Sequence, residues 1–213
     1  MSTPSVPSVE AEASAALLFR TLASHQIAAA AFSAEPAGRL RLNPTADRVQ
    51  EQRQATLLRL LSITEAFAAD LLAREVEQTF ETLSSEVLTA AVDDSLISAT
   101  NTWSEQRKAY KDWLNIGKPA VDWGPIERLA DARNAIAHGL GELTRRQKQS
   151  GTSIPDKLLN AGIVVEGGRV VLTDENLLDA AQTCRDFIES LDHAVQTRQS
   201  ADGQRKRVIT HNT

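Results

Sequence analysis

One cysteine, Cys184, among 213 residues leaves no partner for an intramolecular disulfide. Four scattered histidines offer no zinc-like spacing, so neither a structural metal nor any other cofactor is expected. No apolar run approaches the roughly 20 residues that span a bilayer. The opening Met1–Glu10 lacks the basic-then-apolar order of a secretory signal and reads as a disordered leader over 1–9. Together these absences predict a cytoplasmic protein with no membrane association. An excess of positive charge is missing too: the formal net charge is −5. That argues against broad, sequence-independent clamping of duplex nucleic acid, which needs an electropositive face. A small basic pocket stays compatible with it.

The hydrophobic and charged fractions are those of an ordinary globular chain, long enough for one good core with an accessory N-terminal segment. An alanine-rich helix with Leu17, Leu18 and Leu22 is predicted from about Glu10 to Ala34, and 10–44 reads as this helix plus a connector ending at Asn43-Pro44. A long amphipathic helix, capped by Thr45, then runs to about Leu83, with Leu57, Leu60, Leu61, Thr64, Phe67, Ala68, Leu71 and Leu72 at helical spacing. Glu65 sits at the edge of that stripe. Ser84–Ser98 is helical but weakly phased. The next helix carries Trp103, Tyr110, Trp113 and Leu114, whose aromatics read as core anchors. Ile163-Val164-Val165 and Arg169–Leu172, separated by Glu166-Gly167-Gly168, are a hairpin signal. Thr173 then caps a last helix with Leu177, Ala181, Cys184, Ile188 and Leu191 on one stripe. Residues 198–213 read as a flexible tail. The fold class is all-α, a helical bundle with one small β-hairpin before the last helix.

The helix opened by Gly124-Pro125 holds the residues with chemistry, since proline suits a first helical turn. Projected at about 100° per residue, Leu129, Ala130, Ile136, Ala137 and Leu140 fall on one side, with Arg133 near the middle of that stripe. Asp131, Asn134 and His138 gather on the flank. A permanent cation aimed at a core or an interface is expensive unless something pairs with it. Arg133 therefore serves a buried carboxylate, for which Glu65 is the candidate, or waits for an anion.

Each polar group has a chemical use. Arg133 offers a fixed fork of donors matched to phosphate or carboxylate. His138 precedes Gly139 and Gly141, near a helix C-terminus that favours the imidazolium and suits proton transfer. Asn134, one turn back, is placed to hold one ring nitrogen. Such a set suits breaking a phosphodiester by attack of the ribose 2′-hydroxyl without metal. Taken alone, an Arg and a His on one helix are more often a salt bridge and a cap. Arg145, Arg146 and Lys148 are a weak candidate for substrate binding. With Lys108, Lys111 and Lys118, they read first as solvated faces.

Arg133-Asn134-x-x-x-His138 resembles the signature of the HEPN superfamily: arginine, a polar residue, three residues, histidine. Its surroundings agree, with Ile63-Thr64-Glu65-Ala66-Phe67 on the long helix and a tryptophan-bearing stretch leading into Ala132–Gly139. The resemblance spans about Val49 to Val195, within a helical domain at 45–197. The hairpin and final helix are similar to the RiboL-PSP-HEPN branch. The resemblance implies a small helical bundle that dimerises through the motif helix, with two copies of Arg133 and His138 lining one cleft. It further implies metal-independent cleavage of single-stranded RNA to a 2′,3′-cyclic phosphate, in a toxin or antiviral defence role. Arg133 and His138 would be catalytic, Asn134 would orient the histidine, and Glu65 and Asp131 would support. In HEPN toxins neutralised by a nucleotidyltransferase antitoxin, the modified tyrosine lies two places after the histidine; here that residue is Leu140.

The function expected is thus a homodimeric endoribonuclease acting on single-stranded RNA, with a cognate antitoxin or defence-system partner. The alternative is a non-catalytic HEPN module that binds RNA or a nucleotide, or regulates. The acidic net charge favours that alternative mildly.

Overall fold

A computed structural model describes residues 6–34, 48–80, 86–139, 141–149 and 154–211. Among the described residues the chain is mostly helical. The elements are α1 (Val9–Ala34), α2 (Arg48–Phe80), α3 (Glu86–Thr100), α4 (Trp103–Leu114), α5 (Gly124–Gly139), α6 (Arg145–Gln149), α7 (Ile154–Leu159), β1 (Val164–Glu166), β2 (Arg169–Val171) and α8 (Asp174–His211). No described helix is long and apolar enough to cross a membrane. The expected cap at Thr45, the Asn43-Pro44 break and most of the leader lie outside the described residues.

Two units divide the chain. One combines Met1–Ser14, Thr64–Trp123 and Asp186–Thr213; the other combines Ala15–Ile63 and Gly124–Arg185. Helices α1, α2 and α8 each contribute a segment to both units.

In the first unit, Trp103, Trp123 and Phe187 make an edge-on cluster with ring centroids 4.8–6.3 Å apart. Tyr110 is fully buried, and its hydroxyl donates to Ala68 O at 2.7 Å. Burial, reinforced by the Glu75 carboxylate, holds that phenol well above its ordinary range. Glu75 is itself buried but accepts from Arg198 Nη1 at 3.3 Å and Gln199 Nε2 at 2.6 Å. Helix α4 opens on Thr102, whose hydroxyl accepts from Glu105 N, and closes on left-handed Asn115 (φ 55°). Of the three aromatics expected as core anchors there, Trp113 is an exception, at 42 % exposure. It lies on the same arc as buried Gln106 and Ala109, but in the last turn of α4 it is only partly covered.

In the second unit, the hairpin forms where the sequence predicts it, with Val164 opposite Val171 and Glu166 opposite Arg169. Gly167 and Gly168 both take positive φ (56° and 85°), the combination a two-residue turn with the right strand twist requires. Thr173 and Asn176 cap α8 reciprocally: Asn176 N donates to Thr173 Oγ1 and Thr173 N to Asn176 Oδ1. The expected stripe Leu177, Ala181, Cys184, Ile188 and Leu191 is buried throughout. Helix α8 continues to His211, beyond the boundary of the flexible tail expected from 198, because no proline interrupts its Gln, Arg, Lys and Ala residues. Helices α6 and α7 are not foreseen by periodicity, since five or six residues are too few to display it.

Candidate functional site

Helix α5 is held at its C-terminal end by the hairpin. After Gly139 the chain turns at Gly141 and runs beside β2: Val170 N donates to Gly141 O at 2.7 Å, and Leu143 N donates to Gly168 O at 2.8 Å. Gly141 has φ +89°, a conformation that favours glycine, and a Cβ there would lie 2.8 Å from Gln54 Nε2, the far end of a side chain that must move aside. Helix α6 is fastened to α5 as well. Thr144 and Gln147 form a capping pair, and Gln147 Nε2 donates to the Asp131 carbonyl at 2.8 Å. The end of α5 that carries the motif is thus fixed from two sides, by backbone bonds from the segment after it to the hairpin and by the Gln147 side chain of α6.

The buried residues of α5 are Ile126, Leu129, Ala130, Ala132, Ala135 and Ile136, while Ala137 is exposed. This face is wider than the expected stripe and shifted from it. Helix α7 and strand β2 pack on α5, and Ala132 and Ala135 are enclosed. Arg133 consequently lies toward one edge of the buried face, half-buried, rather than at its middle. Leu140 lies outside the described residues.

Arg133 Nη1 donates to Asn134 Oδ1 at 3.2 Å. The amide expected to hold the His138 ring is thus engaged with the guanidinium instead. No hydrogen bond joins Asn134 to the His138 ring among the described residues. His138 is exposed in the last turn of α5, and no hydrogen bond or ion pair holds its ring among the described residues. Asp131 is half-buried, with Lys157 Nζ 4.0 Å from its carboxylate. Burial pushes its carboxyl above the usual range, and Lys157 opposes that in part. Glu65 is half-buried on α2 and belongs to the first unit.

The weak basic group divides. Arg145 is exposed on α6. Lys148, also exposed, lies 3.8 Å from Glu142 Oε2. The Arg146 side chain is outside what is described. Among the described residues no group of three or more His, Cys, Asp or Glu side chains is placed to hold a metal ion.

A second polar cluster in the same unit escapes sequence reading. Buried His25 sets Nε2 3.2 Å from Asp174 Oδ1 and Nδ1 3.2 Å from Thr56 Oγ1. Arg53 Nε donates to the same Asp174 oxygen at 2.8 Å. These hydrogen bonds hold the Asp174 carboxyl below its usual range, Arg53 most strongly. Its partners lie 31 and 149 residues from His25, so no local pattern announces them.

The chain matches no protein-family model, no curated protein and no solved structure.

Proposed function

We propose that the chain is a HEPN-type endoribonuclease that cleaves single-stranded RNA by attack of a ribose 2′-hydroxyl. The observation that carries this reading is the pairing of a half-buried guanidinium, held by Asn134, with an exposed, unrestrained imidazole five residues on. A buried-edge arginine is partly desolvated, and its attraction for a phosphoryl oxygen is correspondingly strengthened. An accessible histidine at a helix end is free to move a proton.

In the reaction, His138 accepts the 2′-hydroxyl proton as that oxygen bonds to phosphorus. The bond from phosphorus to the 5′-oxygen breaks, and the departing oxygen takes a proton from an imidazolium. A 2′,3′-cyclic phosphate and a 5′-hydroxyl result. Arg133 neutralises the non-bridging oxygens as charge accumulates on them. Two copies of α5 facing each other give one His138 to accept the proton and one to donate it. The protein acts as a homodimer on this reading, and a toxin or antiviral effector with its own antitoxin or defence partner is the setting. The negative net charge supports a second reading, a HEPN module that binds without cutting.

Single-stranded RNA incubated with the protein and a chelator tests both. Cleavage that vanishes in His138→Ala and Arg133→Ala supports the nuclease. Cleavage that survives His138→Ala, or that needs added metal, refutes the mechanism; binding without cleavage favours the second reading. A strictly monomeric mass at micromolar concentration contradicts the two-copy cleft.

A further inference from the structure

A cleft of about 1100 Å³ lies in the unit that does not hold Arg133, between the end of α4 with the segment after it and the C-terminal half of α8. Apolar Leu114, Ile116 and Ala194 line it, together with Lys111, Lys118, His193 and Arg198, and among the described residues no carboxylate does. Arg198 is engaged by Glu75, and Lys118 Nζ lies 3.0 Å from Asp122 in an exposed pair that water already weakens. Lys111 is exposed and makes no ion pair among the described residues.

Trp113 stands at the border of this cleft. It is the one tryptophan left open to solvent, since Trp103 and Trp123 are buried. On its other side lies a smaller cleft lined by Asp94, Glu105 and Asp112 with Lys108. The indole is therefore a ridge between a basic cleft and an acidic one, and a polyanion would be directed to the basic side. An exposed aromatic plane beside lysines, in an otherwise acidic protein, is the combination that holds unpaired bases and their phosphates.

We infer that this cleft binds single-stranded RNA, with a base stacked on Trp113 and the adjoining phosphates at Lys111 and Lys118. The choice of polymer rests on the proposed function, but the site is separate from Arg133 and His138.

The test uses full-length His138→Ala protein, so that substrate survives, and a fluorescein-labelled single-stranded RNA 12-mer followed by anisotropy. Trp113→Ala weakens binding about tenfold, and Trp113→Phe, which keeps a ring, weakens it much less. Lys111→Glu weakens binding about tenfold and lowers the salt dependence by about one phosphate. Trp113 and Lys111 are exposed, so both proteins fold, as circular dichroism verifies. Unchanged affinity in Trp113→Ala, no RNA binding at all, or a decaglutamate peptide that displaces the RNA with equal affinity, each overturns the assignment. RNA binding that depends on Trp113 in a protein that never cleaves RNA leaves this site standing and removes only the nuclease reading.

Discussion

Asn134 Oδ1 accepts from Arg133 Nη1 at 3.2 Å, so the polar residue of the motif restrains the arginine and leaves the His138 ring free. The amide oxygen is neutral, so this contact orients the guanidinium without placing a negative charge beside it. On the proposed function, replacing Asn134 by aspartate converts this bond to an ion pair and lowers RNA cleavage about tenfold or more. Asn134→Ala lowers it less, by loss of orientation only. Comparing cleavage rates of the two variants checks the order; an Asn134→Asp enzyme as active as the parent contradicts it.

Arg133→Lys keeps the charge but loses the fork. On the proposed function, cleavage falls about 10²-fold, with the loss in kcat rather than KM, because the contact strengthens as phosphoryl charge builds. Steady-state kinetics on a short RNA measures the split.

Gly141→Ala meets two obstacles, the positive φ and the Gln54 side chain. Destabilisation of about 1–3 kcal/mol is expected in urea unfolding. Gln54→Ala in the same chain relieves the contact but not the backbone strain, so it restores only part of the loss.

Two carboxyls respond to pH with opposite signs. Burial raises Asp131 above its ordinary value of 3.8, so the folded state binds its proton more tightly than the unfolded chain. Stability then falls as pH rises through the interval above 3.8, and Asp131→Asn removes that slope. Arg53 and His25 lower Asp174 below 3.8. Its contribution is complete above 3.8 and is lost as pH falls through the lowered value, a loss that Asp174→Asn abolishes. Urea midpoints across pH 2–7, an interval spanning both titrations, distinguish the two.

Removing Arg198 takes away the cation that donates to the buried Glu75 carboxylate and leaves the neutral Gln199 amide donating to it. Arg198→Ala is expected to cost about 1–3 kcal/mol. Pairing it with Glu75→Gln recovers part of that cost, because the buried charge is then gone, and thermal melts of the single and double variants show this coupling.

Much of the secondary structure is legible in local pattern. The α8 stripe through Cys184 and Ile188, the Thr173 cap, the Gly167-Gly168 turn and the Gly-Pro start of α5 all depend on residues within a few positions of each other. Their signals survive in one dimension because their interactions are short in sequence. The motif residues Arg133, Asn134 and His138 are identifiable in the same way. What Asn134 touches is not, since i−1 and i+4 partners compete for it.

Residue types, helical periods and turn chemistry, all local, determined a mostly helical chain with one hairpin and an arginine-to-histidine motif near a helix end. Tertiary structure decided the rest. It shifted the buried face of α5 by packing α7 and β2 against it, left Trp113 only partly covered in the last turn of α4, and joined His25 to Asp174 across 149 positions. Burial and charge pairing depend on which distant segments meet, and that information is spread over the whole chain rather than written at any one residue.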